Sequence, residues 1–199
     1  MNIKVINLGK DKFIKFGPFL SYFYNEASAL KEVENVFVEE IYAFKTRNPR
    51  SLMIDVGSGL GITALYLKYK NPQAKIVCFE KNPELLLLSE KNFKANEVKG
   101  ITLVPVSAEK KIADKLNGYI NHPIDFIKID LPGEVTALLS SLGKRLLLVK
   151  ELICKCYDKN ELQAVKDSLL PHFKLTIHES PDSTFFILRA KKHDSKKSR

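Results

Sequence analysis

Long apolar runs are missing from this sequence. Across its 199 residues no stretch approaches the ~18 uncharged apolar residues that a membrane-crossing helix needs. The N-terminal MNIKVINLGKDKFIKF breaks each apolar run with Lys or Asp, so it lacks the apolar region of a secretory leader. Cysteine is scarce: Cys78 falls in an apolar strand-like run, and Cys154 and Cys156 form a lone C-x-C with no matching Cys or His pair nearby. A structural zinc site takes four ligands in recognisable spacing, so the three read as free thiols, no metal is expected, and a reducing cytoplasm fits. There is no internal repeat, and no linker rich in Gly, Ser or Pro divides the chain. The length suits one domain, and the 45% hydrophobic content is enough for a real core.

Charge is present but unevenly placed. From Arg189 to Arg199 six basic residues stand against one acid, Asp194, which makes +5 of the net +9. Most of the basicity is therefore expected in the frayed terminus from Arg189 on, of which residues 191–199 are the disordered tail, rather than on a patterned nucleic-acid surface. Such a tail either attracts polyanions without specificity or simply keeps the chain in solution.

The ordered part alternates. Residues 1–48 read as short strands and turns followed by an amphipathic helix, with Leu30, Val33, Phe37, Ile41 and Phe44 at helical spacing, stopped by Asn48-Pro49. This N-terminal region is the expected substrate cap, and its aromatics from Phe13 to Tyr24 either pack on the sheet or stack on a ring. Residues 49–190 then form the core. Strands are predicted over 52–56, 75–80, 101–106, 124–130 and 145–150, with helices between them. Asn82 caps one helix with Pro83 at its first position, and Asp158-x-x-Glu161 is a capping box for another. Two last runs, 173–178 and 184–188, suit an antiparallel hairpin. The expected fold is α/β: a Rossmann-like, doubly wound, mostly parallel seven-stranded sheet with a C-terminal antiparallel β-hairpin.

In such sheets ligands bind beyond the carboxyl ends of the strands. After the first core strand stands Asp55-Val56-Gly57-Ser58-Gly59-Leu60-Gly61, directly before a helix. A dinucleotide fingerprint spaces its glycines G-x-G-x-x-G. Here the spacing is G-x-G-x-G, with Ile62 where the dinucleotide's third glycine would fall, and no Gly-Lys-Ser/Thr of a P-loop follows. That spacing favours S-adenosylmethionine (SAM), which has no phosphate. Asp55, Gly57, Ser58, Gly59 and Gly61 are the expected cofactor loop. Glu80 ends the second strand, where a carboxylate can accept both ribose hydroxyls; the alternative is a plain surface acid. Lys81 and Asn82 follow it as ribose or adenine contacts, Ser107 and Ala108 end the third strand at the adenine position, and Asp130 ends the fourth at the methyl-transfer position.

With those motifs in place, residues 50–190 resemble a class I SAM-dependent methyltransferase, and within that class the FkbM-like family. The carrying stretches are Ile54 to Gly61, Phe79-Glu80-Lys81-Asn82-Pro83, Asn92-Phe93-Lys94-Ala95-Asn96, and Lys128-Ile129-Asp130-Leu131-Pro132-Gly133-Glu134. Val149-Lys150-Glu151 resembles the family's strand that ends in Glu. The resemblance implies O-methylation of a hydroxyl on a sugar or small natural product. It also departs: Pro132 stands where the family has Glu, and the next acid, Glu134, comes one position early.

A hydroxyl acceptor must lose its proton, so Asp130 and Glu134 are the candidate bases, with Lys128 tuning them or binding an acidic substrate; the alternative for Lys128 is a lysine snorkelling from the sheet. Two other readings stay open. One is N-methylation of RNA or another nucleic acid, ranked second because position 133 lacks the aromatic on which a flipped base stacks. The other is a non-catalytic, SAM-binding regulatory protein. The expected partners are a hydroxyl-bearing substrate, nucleic acid touched without specificity by the tail, and a second copy of the chain in a homodimer.

Overall fold

The computed structural model describes residues 1–9, 11–106 and 109–193, with the backbone alone at 109–111. It divides into two compact units, Met1–Ser107 and Ala108–Arg199. Ser107 and Ala108, expected at the adenine, and residues 194–199 of the expected tail lie outside the described residues.

The first unit opens with an antiparallel three-stranded sheet, β1 (Ile3–Leu8), β2 (Asp11–Phe16) and β3 (Phe19–Tyr22). Helix α1 (Glu26–Val33) starts at Asn25, whose side chain accepts from the Ser28 N–H, and runs on as a π-helical turn, Glu34–Val38. This corrects the helical periodicity read out to Phe44. The Glu39 and Ile41 N–H groups bond back to the carbonyls of Glu34 and Asn35, and Glu40 takes a φ of 51°, which ends the helix before Ile41. The aromatic cluster is a packing device. Phe16, Phe19 and Phe37 meet with ring centroids 4.9 to 5.9 Å apart, and Phe37 stands edge-on to Tyr66 at 5.3 Å. Edge-on contacts of this kind suit the ring quadrupole.

Then follow β4 (Leu52–Val56), α2 (Ile62–Lys70), β5 (Lys75–Glu80), α3 (Pro83–Ala95) and β6 (Ile101–Pro105). β4 pairs parallel with β5, and β5 with β6. Met53, Ile54, Val56, Ile76, Val77, Cys78 and Phe79 are all buried. Apolar runs without alternation are what strands covered on both faces require.

The second unit holds α4 (Glu109–Tyr119), β7 (Ile124–Ile129), α5 (Val135–Leu142), a 3-10 turn at Gly143–Leu148, β8 (Val149–Cys156), α6 (Lys159–Leu169), β9 (Phe173–Glu179) and β10 (Phe186–Lys192). Among the described residues, the seven strands β6-β5-β4-β7-β8-β10-β9 form one sheet in that order. β7 and β8 are parallel, and β10 runs antiparallel to both β8 and β9, which makes the C-terminal hairpin.

Two readings are corrected here. The fifth strand is not 145–150: Arg145 and its neighbours form the 3-10 turn, and β8 begins at Val149 and runs to Cys156. Glu151 is therefore near the amino end of its strand, where it pairs with Arg189. Lys191 and Lys192 are likewise not tail but the end of β10, in register with Glu151 and Phe173 respectively. Backbone pairing continues past the last apolar residue, so charge alone misplaced the boundary. No described helix is long and apolar enough to cross a membrane.

Candidate active site

In the first unit the carboxyl ends of β4 and β5 carry the glycine loop and Glu80. The Gly57 and Ser58 N–H groups donate to the Phe79 carbonyl at 2.9 and 3.2 Å, which ties the start of the loop to the neighbouring strand. Asp55 is fully buried at the end of β4. The Glu80 carboxylate, only 6% exposed, accepts three backbone N–H groups: Gly59 at 2.8 Å on Oε2, and Lys81 and Asn82 at 2.8 Å each on Oε1. An ionised carboxylate offers about four lone-pair sites, so Oε2 keeps room for one more donor, such as a ribose hydroxyl. Asn82 then caps α3 by accepting from the Glu84 and Leu85 N–H groups, with Pro83 in the first turn.

Gly61 explains why the third glycine is needed. Its φ is +81°, in the left-handed region that side chains disfavour, and a Cβ there would meet the Phe93 ring at 2.6 Å. Helix α3 thus fills the space beneath Gly61. At Gly59 the situation is reversed: a Cβ would find only the Glu32 carboxylate, at 3.8 Å. Beside it the buried Ser58 hydroxyl has no hydrogen-bond partner among the described residues. An open cradle, an unsatisfied hydroxyl and a carboxylate with one acceptor site left fit a polar nucleoside ligand, and without a phosphate-binding spacing they fit SAM.

In the second unit Asp130 follows β7, and the structure brings two residues to it that sequence reasoning missed. Tyr157, just beyond β8, donates its hydroxyl hydrogen to Asp130 Oδ1 at 2.7 Å. Lys155 lies 3.7 Å from Oδ2. The same ammonium sits over the Tyr157 and Phe185 rings, 4.9 and 4.4 Å from their centroids, a cation–π arrangement. Tyr157 remains 39% exposed. The capping box could have revealed this residue: Asp158 caps α6 by accepting from the Asn160 and Glu161 N–H groups, which puts the end of the preceding strand at 156–157.

Glu161 does more than complete that box. Its two oxygens accept from the Tyr157 N–H at 3.0 Å and the Gly133 N–H at 3.1 Å, so one carboxylate ties the loop after β7 to the loop after β8. Glu134, in contrast, is the cap position of α5 and lines a small cavity of about 140 Å³ with Ile112, Leu131 and Leu138. Lys128 lies inside β7 and is 2% exposed. Asp130, one of the three acceptor-side residues expected from sequence, gathers with Tyr157 and Lys155.

Burial pushes the Cys154 thiol well up from its ordinary value, helped by the charges of Cys156 and Glu161. Burial first, then Glu161 and Asp158, pushes Cys156 to about 12. Both are protonated packing groups at neutral pH rather than nucleophiles.

Residues 35–125 match the methyltransferase small domain family. The chain is 31% identical over 82 residues to Methyltransferase 1 of Beauveria bassiana (strain ARSEF 2860), covering 39% of this chain and 33% of that protein. The matched stretches are thus similar to methyltransferases. Among solved structures it is similar to an rRNA methylase from Streptococcus thermophilus, at a TM-score of 0.59 and 15% identity over 86% of this chain and 99% of that one. It is also similar to M. capricolum TrmK in complex with S-adenosyl-homocysteine, at a TM-score of 0.57 and 13% identity over 79% of this chain and 68% of that one. The chain spans about a third of the length of the curated relative it matches.

Proposed function

We propose that this chain binds SAM on the loop from Asp55 to Gly61, with Glu80 on the ribose, and methylates a hydroxyl of a sugar or other small molecule. Within class I we place it with the FkbM-like enzymes, on the strength of its Lys128-Ile129-Asp130 stretch and its Asn92-Phe93-Lys94-Ala95-Asn96 stretch. SAM supplies an electrophilic methyl group on a sulfonium. The protein's part is to orient the acceptor and take its proton. The observation that carries the reading is the 2.7 Å hydrogen bond from Tyr157 to Asp130, with Lys155 as counter-charge. Tyr157 fixes the rotamer of a carboxylate that has further lone pairs to accept a hydroxyl proton, and a base in that position is worth about 100- to 10,000-fold in rate.

One observation favours a second reading. The motif at 130–134 lacks an aromatic, but Tyr157 supplies an exposed ring beside Asp130, and such a ring can stack a planar base. N-methylation of RNA therefore stands as the alternative, and the likeness to an rRNA methylase supports keeping it.

The experiment is labelled-methyl transfer from SAM to sugars and polar metabolites in one arm and to tRNA and rRNA in the other, with an Asp130→Asn variant beside the wild type. Label in the first arm, lost in Asp130→Asn while SAM affinity holds, is the expected result. Label in the RNA arm alone would establish the alternative. Absence of SAM binding in the wild type would remove both.

A further inference from the structure

Two asparagines four residues apart, Asn92 on α3 and Asn96 at its C-cap, treat strand β3 as a neighbouring strand would. Asn96 accepts from the Leu20 N–H at 2.9 Å and donates to the Leu20 carbonyl at 2.7 Å. Asn92 accepts from the Tyr22 N–H at 2.7 Å and donates to the Tyr22 carbonyl at 3.3 Å. Residues 20 and 22 are alternate positions on the edge strand of the three-stranded sheet, and these side-chain amides occupy its open ladder.

The two differ in their further bonds. Asn92, fully buried, also donates to the Ser21 hydroxyl at 3.0 Å and to the Leu60 carbonyl at 2.9 Å, whereas Asn96 donates instead to the Asn92 carbonyl at 2.7 Å. Leu60 lies between Gly59 and Gly61, and its carbonyl belongs to the same rigid peptide plane as the Gly61 N–H. That N–H donates to the Ser58 carbonyl at 2.9 Å. The peptide is thus pinned at both ends, and without Asn92 the carbonyl end is released.

We propose that Asn92 is the positioning residue of the cofactor loop, and that through it the N-terminal sheet sets the affinity for SAM. The proposal rests on the reading that this loop holds SAM. Asn96 makes the same kind of contact to β3 and is not bonded to the loop, so it serves as an internal control.

The test is calorimetric titration with SAM of wild type, Asn92→Leu and Asn96→Leu, at a temperature where melting curves show all three folded. Removing a hydrogen bond so that a buried carbonyl is left unsatisfied predicts SAM affinity about tenfold or more weaker for Asn92→Leu. Asn96→Leu is expected to lower Tm and keep the affinity within about twofold. Equal losses of affinity in both variants, or none in Asn92→Leu, would overturn the proposal. If Asn92→Leu does not fold, Asn92→Ala, which leaves room for water, carries the same comparison. A wild type that binds no SAM overturns the cofactor reading as well, which separates that failure from one confined to Asn92.

Discussion

The two units reach their chemistry by different means. At the ends of β4 and β5 the site is made of backbone: loop N–H groups bond to the Phe79 carbonyl and to a buried carboxylate, and a helix side chain fills the space under Gly61. Beyond β7 and β8 it is made of side chains from separate segments, Asp130, Lys155 and Tyr157, and the Glu161 carboxylate ties the loop after Asp130 to the backbone of Tyr157. A backbone site tolerates few substitutions, because its shape depends on conformations that only certain residues adopt. A side-chain site can change acceptor by changing one residue at a strand end. The first suits a cofactor that stays the same, and the second suits a substrate that differs between relatives.

The hardest blow to this contrast falls at Gly61. Alanine there meets a left-handed φ, costing roughly 1–2 kcal/mol, and the Phe93 ring, costing roughly 1–3 kcal/mol more. Gly61→Ala is expected to lose about 2–5 kcal/mol by chemical denaturation and to weaken SAM binding. A Gly61→Ala/Phe93→Ala double variant should show positive coupling in a double-mutant cycle; strict additivity would mean that the ring is not the obstacle.

Glu80→Gln comes next. Its amide nitrogen cannot accept the N–H groups that one carboxylate oxygen now accepts, and about 1–3 kcal/mol follows from leaving buried donors unpaired. Isothermal titration should show roughly tenfold to hundredfold weaker SAM binding. If the acid were only a surface group, affinity would not move.

Tyr157→Phe sharpens the comparison from the other side. It removes one hydrogen bond to Asp130, worth about 1.5–3 kcal/mol when the partner is charged, so turnover should drop roughly tenfold to hundredfold while the SAM Kd is unchanged. A shift in SAM affinity instead would undo the division of labour between the two regions.

The smallest effect is on pH dependence. Cys154 and Cys156 titrate above their ordinary value of 9.0 in the folded chain, Cys156 at about 12. Unfolded thiols ionise first as pH rises, so the unfolded state then binds fewer protons and gains stability. The contribution of these two groups is whole below pH 9.0 and is lost as pH climbs toward 12. Urea midpoints at pH 8 and 10.5 should fall less in a Cys154→Val/Cys156→Val variant than in the parent.

The backbone-built site was the legible one. Glycine spacing, the Asn82-Pro83 cap and an acid after an apolar run are local signals, and each lies where the sequence suggests. The side-chain cluster was half legible. Asp130 ends an apolar run, but Tyr157 was hidden behind a misplaced strand, because Arg145 to Leu148 carry the same apolar composition as a strand while forming a 3-10 turn. Glu134 and Glu161 are both acids near a helix start, and only three-dimensional packing shows that the second, not the first, holds the Gly133 N–H. In the N-terminal region apolar spacing continued past Val38, and nothing in that spacing announced the positive φ at Glu40.

Strand order has a consequence for the nascent chain. Among the described residues, β9 is bonded into the sheet through β10, yet β10 follows it in sequence. During synthesis β8 has Leu152, Ile153 and Cys154 on an edge that no earlier segment caps, and β9 emerges with nothing to dock against. Both wait for Phe186 to Lys192 to leave the ribosome, and unpaired apolar edges recruit other chains. The stretch between Cys156 and Lys192 is therefore the window in which a chaperone would matter most, and a translational pause inside it would lengthen the exposure.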